Sequence, residues 1–377
     1  MTHAAITGWG KCLPPAVLTN ADLATFLETD DEWIVSRTGM RERRITHVPL
    51  SDLIHVASAR ALACAGLPAD ALDLVLVGST IGDELAPNVA SGVQRRLGAR
   101  KAASVDLNTA CTSFLYGLST ATALIRTGVV RTALVVGAEA PTPFMDWTDR
   151  NVAVLFGDGA GAAVLQATDR EEGLLAERLG CDADARGILD IRGIGARYAN
   201  AGVPHGHTRW HFDGPEIFKR AVLGMTQASE EALARCGRTV ADVDLVVPHQ
   251  ANQRIIDAVG KRVGVPPGKV FVNVQRYGNM SAATVPVALV EAVEEGRVAP
   301  GSLLLLPGFG AGLSWCAHVV RWGERTAPRG SSDAELPPCD RTGLEIVNDL
   351  RARRARYDGA SRGFLEAART MLEGELP

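Results

Sequence analysis

Asp106-Leu107-Asn108-Thr109-Ala110-Cys111-Thr112-Ser113-Phe114 carries one cysteine through a turn of small residues between two apolar segments. Residues 102–105 have the pattern of a short strand, and residues 115–121 have that of a buried helix. A cysteine at a helix N-terminus faces unpaired backbone N–H groups and the positive end of the helix dipole, which favour a thiolate. Cys111 is therefore either a nucleophile or a small core residue, as many free cysteines are.

Other strongly apolar segments alternate with helical ones along the chain. The runs 72–79 and 133–137 are typical of buried strands, and residues 52–65 and 90–97 have helical patterns. Strands that are apolar throughout and alternate with helices predict α/β layers whose sheets are covered on both faces.

The second half of the chain repeats the first. Residues 105–128 align without a gap on 273–296, which would place Cys111 opposite Asn279. A repeat of this length exceeds the roughly 20–50 residues of a solenoid unit and predicts two similar halves facing each other. Two shorter matches keep the same order: 73–78 with 244–249, and 157–161 with 308–312.

Composition describes a globular protein of 377 residues whose net charge of −4 argues against a general nucleic-acid binder. Its seven cysteines are scattered and form no CxxC pair, so neither a disulfide framework nor a cysteine-rich zinc site is indicated. We see no signal peptide and no apolar run of the roughly 18 residues that a membrane helix needs. A reducing, cytoplasmic setting is expected.

Two further polar residues stand where apolar segments end. His249 follows the strand 245–247, on the carboxyl edge where open α/β sheets place their sites, although a lone histidine is often structural. Asn279 lies in a tight turn that enters a helix, where a helix cap is the ordinary alternative. If the two halves face each other, Cys111, His249 and Asn279 converge on one pocket.

These motifs resemble those of the β-ketoacyl synthase III branch of the thiolase-like condensing enzymes. The resemblance runs from about Ile6 to Trp322 with its motifs in register. The segments that carry it are Asp31-Glu32-Trp33-Ile34, Arg37-Thr38-Gly39, Asn108-Thr109-Ala110-Cys111, Phe156-Gly157-Asp158-Gly159-Ala160-Gly161-Ala162, His249-Gln250-Ala251-Asn252, Tyr277-Gly278-Asn279-Met280-Ser281-Ala282-Ala283 and Gly312-Leu313-Ser314-Trp315.

The resemblance implies a five-layer αβαβα thiolase fold, a homodimer, and a mechanism without metal or redox cofactor. Cys111 would take an acyl group from acyl-CoA, and a malonyl thioester on an acyl-carrier protein would then lose CO₂. His249 and Asn279 would hydrogen-bond the thioester oxygen of the resulting enolate. The backbone N–H groups of Cys111 and of the 310–312 turn, at Ala311, would form the second oxyanion hole.

Further residues match family positions that bind substrates. Trp33, Arg37 and Arg150 would line the CoA and phosphopantetheine entrance, where an indole and guanidinium groups suit adenine and phosphate. Asn252 matches a position that contacts the pantetheine arm. Basic residues on segments like the carrier-protein docking face are equally explained as ordinary surface charges: Lys219, Arg220, Arg254, Lys261 and Arg262.

The chain departs from the family pattern in residues 85–88. Short-chain members often place a phenylalanine there, which closes the acyl pocket across the dimer interface. Ala86 occupies that place in this sequence, so the resemblance implies a larger pocket and a longer, branched or aromatic acyl primer.

A second departure is the C-terminus, where 55 residues follow Trp322. We predict an N-terminal half over 1–170, a C-terminal half over 171–322, and an extension over 323–377. Its Pro/Ser/Gly-rich linker over 326–338 precedes two short amphipathic helices, 344–357 and 363–372. The arginine run within 351–356 is a solvated face or docks on a partner or second subunit.

His205, His207 and His211 could suggest a metal site, but no carboxylate or cysteine completes such a site, and we predict no metal.

Three other functions remain open. An acyltransferase of the same fold would pass the acyl group to an alcohol, amine or carrier thiol without forming a carbon–carbon bond. A papain-type hydrolase shares the Cys/His/Asn order but lacks the C-G-x-C-W neighbourhood. A non-catalytic subunit would not need the three residues.

Overall fold

The computed structural model describes residues 2–198 and 208–360, with side chains up to 356. The strands are β1 (His3–Cys12), β2 (Ala16–Thr19), β3 (Glu42–Ile45), β4 (Leu74–Gly78), β5 (Ala103–Leu107), β6 (Thr132–Glu139), β7 (Gly159–Thr168), β8 (Gly173–Cys181), β9 (Leu189–Arg192), β10 (Arg209–Phe212), β11 (Leu245–Val246), β12 (Leu303–Gly310) and β13 (Ser314–Arg321). The helices are α1 (Asn20–Ala24), α2 (Asp31–Thr38), α3 (Leu50–Ala65), α4 (Val89–Leu97), α5 (Ser113–Arg126), α6 (Arg150–Ala153), α7 (Gly214–Arg235), α8 (Gln253–Val263), α9 (Val274–Tyr277), α10 (Thr284–Glu294) and α11 (Gly343–Ala360).

Nine strands form one long sheet in the order β11-β12-β13-β8-β1-β7-β6-β4-β5. Two similar sets meet at β1 and β8, which pair only at Ala4 and Gly173. In the first set β5, β4, β6, β7 and β1 follow one another. Counted in the same way from the sheet edge to its middle, the second set is β11, β12, β13 and β8. A bridge between Val246 and Val270 occupies the position that corresponds to β5. The expected duplicated fold is confirmed.

Apolar faces divide this arrangement into five layers. Helix α3 packs its Leu53 and Ile54 with α4 on the outer face of the first half-sheet. Leu115 of α5 and Leu289 of α10 lie in a central core that contains residues of both half-sheets. Ala228 of α7 packs against the outer face of the second half-sheet. The two central helices are apolar on nearly every side because both of their faces are covered.

The two halves superimpose in a register that differs from the expected one. β4 and β11 begin 171 positions apart (Leu74 and Leu245), and so do single 3₁₀ turns at Ala110–Thr112 and Ser281–Ala283. Ala110 and Ser281 both have positive φ, +51° and +47°. Cys111 is therefore equivalent to Ala282, not to Asn279, and the expected pairing of Cys111 with Asn279 is wrong.

Asn108 is the counterpart of Asn279. Its side-chain oxygen accepts from the N–H of Ala110 at 3.0 Å, and that of Asn279 accepts from the N–H of Ser281 at 2.8 Å. The offset is shorter at the far ends of α5 and α10 because α10 has 11 residues and α5 has 14. The glycine match fails as well, since residues 308–310 end β12, whereas residues 159–161 begin β7.

The C-terminal extension packs against the body of its own chain. Residues 326–338 have no helix or strand, as predicted, and the helix predicted for 344–357 is α11. Ile346 and Val347 are buried in the core beneath α1 and β2. The helix predicted for 363–372 falls outside the described residues. No helix in the described ranges has the length and apolar character needed to span a membrane.

Candidate active site

A cavity of about 1350 Å³ brings Cys111, His249 and Asn279 together. Cys111 lies in the 3₁₀ turn between β5 and α5, and His249 follows the end of β11. Asn279 precedes the equivalent turn before α10. His249 and Asn279 are almost fully buried, while Cys111 is partly open to the cavity. The prediction that three distant segments converge on one pocket agrees with this geometry.

Ser281 contacts all three residues or their supports, and the sequence analysis did not single it out. Its hydroxyl donates to Cys111 Sγ at 3.5 Å, and its backbone N–H donates to Asn279 Oδ1 at 2.8 Å. Its carbonyl accepts from the Thr284 hydroxyl at 2.9 Å. The positive φ of Ser281 aims these three groups in different directions, at a conformational cost of order 1–3 kcal/mol.

The Thr284 hydroxyl is hydrogen-bonded to His249. Its Oγ1 lies 2.6 Å from His249 Nδ1 and 2.9 Å from the Ser281 carbonyl, and its single proton can be donated to only one of these two atoms. When the proton goes to the carbonyl, Oγ1 accepts from Nδ1–H. When the hydroxyl donates to Nδ1, the proton of the neutral imidazole resides on Nε2. Burial lowers the pKa of His249 to about 3, which keeps the ring neutral at physiological pH.

Burial also dominates the chemistry of Cys111. Desolvation raises the pKa of its thiol to about 11, and the Ser281 hydrogen bond and the N–H groups of Cys111 and Ala311 act in the opposite direction. The expectation of a depressed pKa at a helix N-terminus is thus wrong for the free protein, because desolvation outweighs these donors. The same two N–H groups are the ones expected to form an oxyanion hole.

Glu139 is a second titratable group on the cavity wall. It ends β6, accepts from the Ser79 hydroxyl at 3.1 Å and from the Thr80 N–H, and is almost fully buried. Burial raises the pKa of its carboxyl to about 7, and the carboxylate in turn raises the pKa of Cys111. Its hydrogen bonds hold residues 79–80 beside the cavity that contains Cys111.

The predicted entrance residues cluster around one indole. The guanidinium carbons of Arg37 and Arg150 lie 4.5 and 5.0 Å from the centre of the Trp33 ring. Trp33 and Arg37 line the cavity, and Arg150 donates to the Glu28 carbonyl at 2.5 Å just outside it.

Asn252 also lines the cavity, but both ends of its amide are bonded to protein. Its Nδ2 donates to the Arg37 carbonyl at 3.0 Å, and its Oδ1 caps α8 at the Arg254 N–H at 2.8 Å. The side chain therefore joins the start of α8 to the end of α2 at the cavity mouth.

The five basic residues do not form one cluster of equivalent charges. Arg254 lines the cavity and lies over Phe218 at 5.7 Å, whereas Arg220 is paired with Asp182 and Glu216. The remaining three, exposed on α7 and α8, are Lys219, Lys261 and Arg262. Only Arg254 of this set reaches the cavity wall.

Ala86 does not line the cavity of its own chain. It lies in an exposed loop, beside Leu85, which is 99% exposed. A role for Ala86 in an acyl pocket would therefore require a second copy of the chain.

The histidine-rich insertion does not form a metal centre within the described residues. His205 and His207 fall outside those residues, and His211 is exposed on β10. No group of three or more His, Cys, Asp or Glu side chains in 2–198 and 208–360 is arranged to hold a metal ion.

Chemically generic residues escaped the sequence analysis. Ser281 and Thr284 belong to the quoted Asn279 motif, but serine and threonine in a turn before a helix are explained equally well as caps. Glu139 carried one signal, since a carboxylate directly after the apolar run 133–138 is out of pattern with a buried strand.

Comparison with known proteins agrees with the fold and the motifs. The model of the family described as 3-oxoacyl-[acyl-carrier-protein (ACP)] synthase III matches residues 105–183, and the model of its C-terminal part matches 233–322. The chain is 52% identical to a curated Vibrio cholerae protein named beta-ketoacyl-[acyl-carrier-protein] synthase III 2, across 92% of this chain and 96% of that protein.

Solved structures with the same fold include beta-ketoacyl-[acyl-carrier-protein] synthase III from Thermus thermophilus. It has 41% identity and a TM-score of 0.79, covering 85% of this chain and 100% of that one. The priming beta-ketosynthase of the R1128 polyketide biosynthetic pathway has 34% identity and a TM-score of 0.81, covering 85% of this chain and 97% of that one.

Proposed function

The chain belongs to the 3-oxoacyl-[acyl-carrier-protein] synthase III family and is an acyltransferase of the condensing type; on that premise we propose that Cys111 carries the acyl group. The observation that supports this assignment most directly is the convergence of Cys111, His249 and Asn279 around Ser281 in one cavity. The papain-type alternative is excluded, because the duplicated sheet has no place in a hydrolase of that type.

In the first half-reaction, Cys111 Sγ attacks the carbonyl carbon of an acyl-CoA, and the bond to the CoA sulfur breaks. The thiol proton of Cys111 leaves with the CoA thiol. The products are an acylated Cys111 and a free CoA thiol, and His249 is neutral before and after the step. The N–H groups of Cys111 and Ala311 are placed to stabilise the oxyanion that forms between these two states.

In the second half-reaction, a malonyl thioester loses CO₂ and becomes an enolate. His249 Nε2–H and the Asn279 amide N–H groups donate to its oxygen, which requires the tautomer in which the Thr284 hydroxyl donates to His249 Nδ1. The enolate carbon then attacks the acyl-cysteine, the C–S bond breaks, and the Cys111 thiolate takes up a proton. Asn279 has its Oδ1 engaged by Ser281, so its two N–H donors face the cavity side.

We assign acyl-CoA to the entrance at Trp33, Arg37 and Arg150, where the indole suits the adenine base and the guanidinium groups suit phosphate. Asn252 orders this entrance by its bonds to Arg37 and Arg254. The malonyl group is assigned to an acyl-carrier protein, whose acidic surface Lys219, Arg254, Lys261 and Arg262 would bind.

A homodimer is part of the proposal. Strand β5 pairs with β4 on one side only, and its Val105 is 42% exposed. An exposed apolar edge strand is a template for pairing with a second chain. The partner's loop around Leu85 would then close the acyl pocket, and the small Ala86 leaves room for a longer, branched or aromatic primer.

Other parts of the proposal follow from the chemistry. Neither half-reaction needs a cofactor. A reducing, cytoplasmic setting suits an unpaired nucleophilic cysteine among seven free ones. We divide the body at residues 170 and 171, between β7 and β8, and at 322. Acyl transfer to an alcohol or amine is not favoured, since Asn279 provides donors that only the enolate step requires.

Intact-protein mass spectrometry after incubation with mixed acyl-CoAs tests the proposal. We expect one acyl adduct on the wild type, none on Cys111→Ala, and release of a β-ketoacyl product when malonyl-carrier protein is added. An adduct that persists in Cys111→Ala, or the absence of any adduct on the wild type, would overturn the assignment. Exclusive use of acetyl-CoA would overturn the argument from Ala86 alone.

A further inference from the structure

The C-terminal extension beyond residue 322, where the family model ends, is bound along the body of the chain. The Arg325 guanidinium donates to the carbonyls of Cys64, at 3.1 Å, and of Thr7. The backbone N–H of Arg329 donates to the same Cys64 carbonyl at 3.0 Å, and His47 Nε2 meets the Pro337 carbonyl at 2.8 Å. These hydrogen bonds fix the path of the segment that precedes α11.

Helix α11 contacts the body of the chain through residues near its start and in its middle. Val347 is fully buried near its start, and the Arg351 guanidinium lies 4.2 Å from the centre of the Phe26 ring. One turn later Arg354 points into the body, with a side chain only 20% exposed, while Arg353 is 69% exposed. The arginine run is therefore not a uniformly solvated face.

Arg354 joins two segments that are distant in sequence. Its guanidinium donates to the Met145 carbonyl at 3.2 Å and to the Thr208 carbonyl at 2.8 Å, and it pairs with Asp146 at 3.4 Å. The planar fork of arginine donors allows one side chain to serve all three acceptors, which a lysine cannot reproduce.

The two joined segments are also tied to each other. The Trp210 indole N–H donates to the Phe144 carbonyl at 2.9 Å, and the Thr208 hydroxyl donates to the same atom. Residues 144–146 and 208–210 thus form one hydrogen-bonded unit, which Arg354 holds from behind.

The front of this unit is the aromatic wall of the active-site cavity. Trp210 and Phe212 line the cavity and pack on Phe156, with ring centres 5.0 and 5.7 Å away. Phe156 forms a bridge with Asn279, so the wall is continuous with the catalytic residues. A displacement of Trp210 would change the shape of the space that the acyl chain or its pantetheine arm occupies.

We propose that Arg354 is a specificity-determining residue, which acts through the Trp210–Phe212 wall to select the acyl primer. This rests on the proposed function, because the wall matters only if Cys111 accepts acyl groups. The C-terminal extension is accordingly part of the substrate-binding structure, although its helix lies on the outside of the molecule. Arg354 touches no substrate and is a positioning residue.

The test compares Arg354→Ala with Arg353→Ala in the full-length protein. Arg353 lies next to it on the same helix and pairs only with Asp349 in the described residues. Each variant is incubated with an equimolar mixture of acyl-CoAs of graded chain length, and the Cys111 adducts are quantified by intact mass. Iodoacetamide alkylation of Cys111 measures the nucleophile independently of acyl recognition.

We expect Arg354→Ala to lose discrimination between its best and next acyl group by at least about fivefold, with KM raised more than kcat is lowered. Alkylation should be unchanged, and Arg353→Ala should match the wild type. Arg354→Lys, which keeps the charge and one donor, covers the case in which the alanine variant does not fold and should show a partial loss.

A folded Arg354→Ala or Arg354→Lys protein with the wild-type adduct spectrum would overturn the inference and leave the proposed function intact. An equal change in Arg353→Ala would overturn it too. If the wild type forms no acyl adduct, the proposed function fails and the inference falls with it.

Discussion

At the scale of single residues, Cys111 is under opposing influences. Its sulfur sits where two backbone N–H groups and the Ser281 hydroxyl favour the thiolate, yet burial and Glu139 favour the thiol. With its pKa raised to about 11, Cys111 is predominantly a thiol at neutral pH. Such a balance protects a reactive sulfur, because only the thiolate reacts readily with oxidants and electrophiles.

Removing the Ser281 hydroxyl should shift this balance towards the thiol. In Ser281→Ala the pKa of Cys111 rises further, so iodoacetamide alkylation at pH 8–9 should slow by roughly three- to tenfold. Ser314→Ala is the matched control, because its hydroxyl lines the same cavity but bonds to Thr109, Thr112 and Ala311. Equal slowing in both variants would contradict the assignment.

Removing the charge of Glu139 should act in the reverse sense. The carboxyl is ionised above its pKa of about 7 and then raises the pKa of Cys111. Glu139→Gln should therefore speed alkylation above pH 7 by a few-fold and leave it unchanged well below pH 7. The pH profile of alkylation separates this effect from a structural one, which would change the rate at every pH.

Thr284 should matter for condensation more than for acylation. In the proposed mechanism the Thr284 hydroxyl donates to His249 Nδ1, and Thr284→Val removes that donor, so the tautomer with its proton on Nε2 loses the hydrogen bond that favours it. We expect the condensation rate to fall by roughly 10²-fold, as for loss of one oxyanion donor, with acyl loading largely kept. Thr284→Ser retains the hydroxyl and should restore condensation; equal losses in loading and condensation would contradict the role.

At the scale of secondary-structure elements, the position of Cys111 depends on how closely β12 approaches the turn before α5. A Cβ on Gly310 would lie 2.9 Å from the backbone nitrogen of Cys111, which leaves no room for a side chain. Glycine at this position therefore lets the strand supply one wall of the proposed oxyanion hole.

Gly310→Ala should consequently displace the Cys111 turn and reduce acyl loading by roughly 10²-fold, since displacements of about 1 Å are known to cost that much. The control is Gly268→Ala, where a Cβ meets nothing within 4 Å. Loading is read from adduct formation on Cys111, and near-normal loading in Gly310→Ala would refute the packing argument.

The sequence was sufficient for the layers, the family and the convergence of three polar residues on one cavity, because those depend on long apolar runs and rare motifs. The register of the duplication was mispredicted, since Ala- and Val-rich helices align well at several offsets and α10 is three residues shorter than α5. The register is settled by the positive φ of Ala110 and Ser281. This conformation could not be predicted from the sequence, because neither residue is a glycine. The contact of Arg354 with Thr208 spans 146 positions and has no local signal.

At the scale of the whole molecule, the free edge of the long sheet is the proposed dimer interface. β5 is the last strand of the order, and Val105 stands at its middle with an exposed apolar side chain. Pairing of two such edges would continue the sheet from one chain into the next and bring each Leu85 loop towards the other copy.

Val105→Lys should therefore convert the protein to a monomer, because a charged residue on an edge strand opposes pairing. Val129→Lys is the control, since Val129 is 68% exposed but lies outside the sheet. Sedimentation or light scattering gives the mass of each variant. A dimeric Val105→Lys protein, or a monomeric wild type, would exclude this edge as the interface.

The paired turns at Asn108 and Asn279 imply a division of labour between two descendants of one ancestral gene segment. Each asparagine holds the same bend, but the third residue after it is a cysteine in one copy and Ala282 in the other. After the asparagine the two bends differ at every position, Thr109-Ala110-Cys111-Thr112 against Met280-Ser281-Ala282-Ala283. Divergence after the duplication thus left the sulfur in one copy and, in the other, the Ser281 hydroxyl that contacts it.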